Sequence, residues 1–219
     1  VSDLTARGNL GVRVVDTEYD GQGRIDIDAA GEEFLVDDAQ SVVRDYTEAL
    51  PSFNLVLADE TGGWQVRGAI SRALTRPTIE EINPGEDVNV DDGEIERGNP
   101  ALDPFLAWQY DLGLEYYFGE TGEGLISVGL FVKDVDNFIV PTQFEETRAF
   151  NAADSADLNV DIPSLTYEVA TFVNGGEASI RGVELNVQTP FTFLPGFWSD
   201  FGIFANYTFT DSEFTDPFG

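Results

Sequence analysis

The 219 residues contain no cysteine, no histidine and no methionine. Without thiols or imidazoles the chain cannot form a disulfide, a Cys or His metal site, a cysteine nucleophile or a Ser-His-Asp triad. Basic residues are also scarce, because 11 Lys and Arg stand against 41 Asp and Glu, giving a net charge of −30. Such a chain cannot neutralise phosphates, which excludes nucleic acid as a partner.

Long apolar runs are missing as well. No stretch of about 18 apolar residues is present, which excludes a transmembrane helix. No charged and apolar leader precedes Val1, and residues 215–219 resemble the middle of a loop. We therefore expect residues 1–219 to be one partial domain of a longer chain. Aromatic residues make up 12%, which is too many for a disordered acidic chain.

The sequence does contain apolar and polar residues that alternate with period two, as in β-strands with one polar face. In residues 108–118 every even position is apolar or aromatic, whereas the odd positions include polar residues. The alternation predicts seven strands and no helix. These strands are 8–16, 52–58, 64–71, 108–118, 125–139, 182–188 and 201–210.

The connections between these strands alternate in length. Short turns at 59–63, 119–124 and 189–199 alternate with long connections at 18–40, 78–104 and 141–170. In an up-and-down sheet, this order puts every long loop at one end and every short turn at the other. The long connections hold eight, nine and six of the acidic residues, so we expect one strongly anionic end. The loop acids that we select as facing the outside are Glu86, Asp87, Asp91, Asp92 and Glu94.

A soluble β-sandwich would also show alternating strands. Long strands, the regular order of long and short connections and the polar mid-strand residues favour a transmembrane barrel with a wet lumen instead. Aromatic residues near strand ends, such as Trp64, Trp108 and Trp198, suit the girdles at the membrane interfaces. The predicted fold class is therefore all-β, a partial transmembrane antiparallel up-and-down β-barrel. The residues predicted to face its lumen, where they line a solute path or bond to one another, are Gln65, Arg67, Gln109, Asp111 and Glu115.

Several segments resemble the barrel of TonB-dependent receptors, the active transporters of Gram-negative outer membranes. They include 69–78 (AISRALTRPT), 98–102 (GNPAL), 111–118 (DLGLEYYF), 128–139 (VGLFVKDVDNFI) and 205–212 (ANYTFTDS). The resemblance implies a barrel of about 22 strands, of which about seven lie here, with an N-terminal plug domain in the lumen. It also implies that the short turns are periplasmic and the acidic loops extracellular.

The same resemblance implies the partners and the ligand. The partners would be outer-membrane lipid, the receptor's own plug domain and, through the plug, the TonB energy-transducing complex. The ligand would be a scarce nutrient, namely a ferric siderophore, a cobalamin-like compound or an oligosaccharide. No cofactor and no enzymatic activity are expected. A passive porin-like barrel, and a soluble acidic β-domain that binds carbohydrate or calcium, stay open as alternatives.

Two groups of charged residues are interpreted as structural. Pro77 should end strand pairing, while Arg72 and Arg76 should pair with nearby acids or lipid headgroups. The acidic segments 134–137 and 154–161 space carboxylates as a calcium loop might, but they lack its glycine and closing glutamate. We therefore expect both segments to be solvated loops.

Overall fold

The computed structural model describes residues 4–29, 31–119, 122–149 and 164–215. In these ranges eleven strands form a single sheet, and no helix is long and apolar enough to cross a membrane. A short 3₁₀-helix lies at Gly196–Asp200. The strands are β1 (Leu4–Ala29), β2 (Glu32–Asp59), β3 (Trp64–Thr75), β4 (Glu86–Asn89), β5 (Glu94–Arg97), β6 (Phe105–Phe118), β7 (Gly124–Asp136), β8 (Ile139–Arg148), β9 (Leu165–Asn174), β10 (Ala178–Pro190) and β11 (Gly202–Phe214).

Seven of these strands form what we call the wall. Strands β1, β2, β3, β6, β7, β10 and β11 pair antiparallel, each with the next of the series. All seven strands predicted from the alternation are present in this wall. The prediction of a partial, up-and-down barrel is confirmed.

The prediction that the three long connections are loops is wrong. Residues 18–40 belong to a β1–β2 hairpin whose pairing runs from Leu4↔Asp59 to Ala29↔Glu32, with one register shift between Gly23 and Ile25. The second connection forms β4 and β5, and the third forms β8 and β9. The alternation is broken in β4 and β5, because Glu86 and Arg97 occupy positions on the same face as the buried Val88 and Ile95.

The additional strands build a second region, the cap. The cap comprises the end of β1 together with β4, β5, β9 and β8, in that order across the sheet. β4 pairs parallel to β1 from Ile25↔Glu86 to Asp28↔Asn89, and β5 pairs parallel to β9. One face of the cap is a buried apolar cluster of Ile25, Ile27, Ala29, Val88, Ile95, Tyr167 and Val169.

The wall carries large apolar side chains on one face. Leu10 is 79% exposed and Leu112 is 51% exposed, and so extensive an apolar surface needs a partner other than water. One row that crosses all seven strands consists of Leu10, Phe53, Ile70, Tyr110, Val132, Arg181 and Asp211. On β1 the same face stays apolar beyond Leu10, up to Asp16. On β10 and β11 the residues of the row itself, Arg181 and Asp211, are charged. The apolar band therefore crosses the strands obliquely, as a level band does on the tilted strands of a barrel.

Aromatic residues mark the ends of the wall strands. Trp198 lies in the 3₁₀-helix between β10 and β11, and its ring centroid is 5.8 Å from that of Phe197 and 6.0 Å from that of Phe201. Trp64 begins β3 at the same, short-turn end, and Trp108 lies in the half of β6 nearer to the cap. These are positions that suit interfacial girdles.

Candidate functional site

Three of the five residues predicted to face the lumen form one hydrogen-bonded cluster. The carboxylate of Glu115 accepts hydrogen bonds from Gln65 Nε2 (2.9 Å), Arg67 Nε (2.8 Å) and the Tyr117 hydroxyl (2.5 Å). Arg7 Nη2 donates to Gln65 Oε1 (3.3 Å) and extends the cluster to β1. Gln65 is only 7% exposed. The cluster is a closed polar network across β1, β3 and β6.

The other two predicted residues lie on the same face but outside this cluster. Asp111 pairs in register with Ala69, and Gln109 with Ser71. Among the residues that the structure describes, neither side chain hydrogen-bonds to the Glu115 cluster. Asp111 instead borders a groove of about 550 Å³ on the polar face of the wall.

Glycines form the floor of this groove. Gly113 lies opposite both Arg67 and Gly129, and Gly129 in turn lies opposite Glu184. Because Gly113 and Gly129 have no side chains, a hollow remains between the cationic Arg67 and the anionic Glu184. The sequence interpretation did not select Arg7, Tyr117 or Glu184. Only strand register shows that Arg7 bonds to Gln65 and that Glu184 shares a row with Gly113, whereas Tyr117 lies two residues from Glu115 on the same face of β6. Their polar positions within apolar alternation were the available signal.

Glu86 lies in the interior of the cap rather than in an exposed acidic loop. Its side chain is 6% exposed and accepts hydrogen bonds from Arg97 Nη1 (3.1 Å) and from Arg148. Arg97 also donates to Glu146 (3.0 Å) and lies over the ring of Phe144. Arg97 and Arg148, two of the few basic residues in the long connections, thus link β4, β5 and β8. Glu86 and Val88 are two residues apart in β4, so their side chains point to the same, buried side.

The other selected acids of the cap are exposed. Asp92 closes the β4–β5 turn, where its backbone N–H donates to Asn89 Oδ1 (3.0 Å) and its carboxylate accepts from Asn89 Nδ2 (2.8 Å). Asp91 belongs to the same turn. Asp87 and Glu94 belong to a face opposite the buried cluster, which we call the acidic face. Its members are Asp26, Asp28, Glu33, Asp87, Glu94, Glu96, Glu145 and Glu168.

Carboxylates on the acidic face do not form a metal centre in the described ranges. No group of three or more Asp, Glu, His or Cys side chains there is placed to hold a metal ion. Segment 154–161, with its calcium-like spacing, lies outside the described residues. The prediction that segment 134–137 is a solvated loop is wrong for its first three residues, because residues 134–136 end β7. Asp134 is paired there with Ser179 of β10 and accepts a hydrogen bond from its hydroxyl (3.1 Å).

A cavity of about 560 Å³, which we call the cap pocket, lies between the β4–β5 and β8–β9 hairpins. Polar residues from both hairpins line it together with apolar ones. The lining includes Glu80, Asn83, Asp87, Glu96, Pro141, Thr142, Gln143, Ala170, Thr171 and Phe172. A smaller hollow of about 350 Å³ lies beside it and shares Asp87 and Glu96.

Arg44 and Asn174 join the cap to the wall. Arg44 Nη1 donates to the carbonyl oxygens of Leu102 (2.8 Å) and Pro100 (3.3 Å), and Arg44 Nη2 contacts Asp103 (2.5 Å). Asn174 Nδ2 donates to the carbonyl oxygen of Asp103 (2.9 Å), while its Oδ1 accepts from the backbone N–H of Asp103 (2.7 Å). The segment that leads from β5 to β6 is therefore fixed against β2 and β9.

The structural interpretation of the Arg72, Arg76 and Pro77 run is largely confirmed. β3 ends at Thr75, just before Arg76 and Pro77. Arg72 pairs with Glu48 at 3.1 Å, in the position where β2–β3 pairing has stopped at Ser52↔Ser71. Arg76 differs from the prediction, because its guanidinium donates to the Thr17 hydroxyl (3.1 Å) and pairs with no acid among the described residues.

Comparison with solved structures identifies receptors of similar fold. The chain resembles the siderophore receptor PirA from Pseudomonas aeruginosa, with 16% identity and a TM-score of 0.54 over 93% of this chain and 32% of that one. It resembles a double mutant of the Serratia marcescens hemophore receptor HasR, solved with its hemophore HasA and heme (14%, TM-score 0.52, 84% and 29%). PirA from Acinetobacter baumannii is also similar (13%, TM-score 0.50, 82% and 26%).

The chain spans about a third or less of the length of these receptors. No curated protein sequence matches it. The family model described as "TonB dependent receptor-like, beta-barrel" matches residues 2–219, nearly the entire chain. The chain therefore belongs to the TonB-dependent receptor β-barrel family, whose members are receptors and transporters of the Gram-negative outer membrane rather than enzymes.

Proposed function

We propose that this chain is a section of an outer-membrane receptor that captures a scarce small-molecule nutrient and imports it actively. The observation that carries the proposal is the position of the cap. It stands at the end where the long connections gather, it contains a pocket of about 560 Å³, and β1 continues into it from the wall. Pockets of this size are typical of small-molecule sites.

The oblique apolar band supports the membrane location. It exposes large apolar side chains where a bilayer would cover them, and its border shifts along the strands as barrel tilt requires. In this proposal the cap is extracellular and the short turns are periplasmic. A soluble acidic β-domain would expose such an apolar band to water.

The polar face of the wall then faces the barrel lumen. We assign Gln65, Arg67 and Glu115 to a rigid part of the lumen surface, because they already satisfy one another. Asp111 and Gln109, which lack bonds to that cluster, are free to contact a solute or the receptor's plug domain. The plug would transmit energy from the TonB complex, as in a member of this family. The relatives' names include siderophore and hemophore receptors, so an iron-containing ligand is one candidate.

Uptake by the bacterium that encodes the receptor tests this proposal. A deletion strain and a strain complemented with the full-length gene are supplied with limiting concentrations of labelled ferric siderophores, heme, cobalamin and oligosaccharides. We expect saturable uptake of one nutrient, lost on deletion and lost again when the TonB complex is removed. Uptake that persists without the TonB complex would identify a passive porin-like barrel instead. Recovery of the receptor in the soluble fraction would contradict the membrane location.

A further inference from the structure

One row of side chains crosses the cap pocket from one hairpin to the other. Asp87 pairs with Glu96, Glu96 with Ala170, and Ala170 with Gln143. Ala170 has the smallest side chain of the row, so a recess opens between Glu96 and Gln143. Neighbouring strands are about 4.8 Å apart, which puts the backbones of these two residues about 10 Å apart. A ring-shaped molecule fits a recess of this width.

The charge of the pocket excludes one class of ligand. Glu80, Asp87 and Glu96 contribute carboxylates to it. Arg97 is the one base in its described lining, and its guanidinium is bound to Glu86 (3.1 Å) and Glu146 (3.0 Å). A polyanionic ligand would meet like charges without a free cation to offset them.

The remaining chemistry suits hydroxyl groups. Carboxylates such as Glu96 accept hydrogen bonds, and the Gln143 amide both donates and accepts them. Pro141 and Phe172 add apolar surface that can contact the C–H face of a saturated ring. Resting on the proposed function, we infer that the cap pocket binds an uncharged polyhydroxylated ligand, a short neutral oligosaccharide. Glu96 and Gln143 hold its opposite edges, and Ala170 forms the floor below it.

Titration calorimetry on the purified full-length receptor in detergent tests this inference. The neutral probes are maltotriose, cellotriose, xylotriose and mannotriose, and the anionic probes are trigalacturonate and a ferric tris-catecholate. We expect at least one neutral trisaccharide to bind more tightly than either anion. Glu96→Gln, which removes a charge at constant shape, and Ala170→Phe, which fills the recess, should each weaken this binding at least tenfold.

Glu168→Gln is the matched control, because Glu168 lies on the same acidic face but outside the cap pocket. It should leave the affinity within twofold. The inference is overturned if no neutral trisaccharide binds, if an anionic probe binds as tightly, or if Ala170→Phe has no effect. Energised uptake of a ferric catecholate by the same receptor would keep the proposed function and reject only this inference.

Discussion

Glu86 is an acid whose surroundings make it structural. Two partly exposed arginines, Arg97 and Arg148, share its buried carboxylate. Glu86→Ala would leave both guanidinium groups facing a site that is largely closed to water. We expect it to destabilise the cap by about 3 kcal/mol, near the lower end of the range for a broken buried ion pair. Limited proteolysis of the full-length receptor should then cut within the cap.

Glu145→Ala provides the comparison for this variant. Glu145 belongs to the exposed acidic face and lies on β8. Its loss should change the free energy of unfolding of the cap, derived from protease resistance, by at most about 0.5 kcal/mol, as is usual at a surface position. Equal protease sensitivity of the two variants would show that Glu86 does not hold the cap strands together.

Tyr167 predicts how the cap responds to alkaline pH. Burial raises the pKa of its hydroxyl above the ordinary value of 10.0, and nearby Arg148 opposes this shift. A phenol with a raised pKa in the folded state stabilises the fold below about pH 10, and this contribution is lost as pH rises through the folded pKa. The stability of the cap, measured as its unfolding midpoint, should therefore decrease as the pH rises above about 10. Tyr167→Phe should make this decrease smaller. An identical pH profile for both proteins would refute the assignment.

At the scale of elements, Arg44 holds the segment between β5 and β6. Its guanidinium reaches two carbonyl oxygens and the Asp103 carboxylate at once. Lysine keeps the charge but lacks the planar fork, so Arg44→Lys should release residues 98–104. Hydrogen exchange measured by mass spectrometry should show faster exchange in this segment and unchanged exchange in β6. If residues 98–104 exchange as slowly in Arg44→Lys as in the unchanged receptor, then the charge of Arg44 alone explains the contact.

The wall strands were predictable because one face of each is continuously apolar. The strand at 108–118, for example, extends by only three residues, to Phe105. The strands β4 and β5 of the cap were not predictable, because each is four residues long and three of its four residues are polar. Their pairing with β1 and β9 joins segments that are distant in sequence, and local alternation carries no information about such partners.

The candidate site was predictable in part for the same reason. Period two was enough to put Gln65, Arg67 and Glu115 on one face, since that depends on each strand alone. That Arg7 completes the cluster depends on the register between strands, whereas period two alone puts Tyr117 on the same face of β6 as Glu115. The burial of the side of β4 that carries Glu86 depends on a parallel pairing that the sequence does not show.

At the scale of the whole molecule, the two faces of the wall should respond oppositely to charge. Leu112 lies on the apolar face and Gln109 on the polar face of the same strand. An arginine on the lipid face near the middle of a bilayer costs about 2–4 kcal/mol, whereas a lumen position tolerates it. Leu112→Arg should therefore lower the yield of full-length receptor that folds into lipid vesicles, and Gln109→Arg should not. Equal yields would argue against a lipid-facing band.

The most direct test of the central claim uses the absence of cysteine from these residues. Single cysteines are placed at each position from 109 to 116 in the full-length receptor, in its native membrane, and labelled with a lipid-soluble and a water-soluble maleimide. A barrel wall predicts period-two labelling, in which the lipid-soluble reagent reacts at Tyr110, Leu112 and Leu114 and the water-soluble reagent is excluded there. Uniform reaction of all eight positions with the water-soluble reagent would contradict the account.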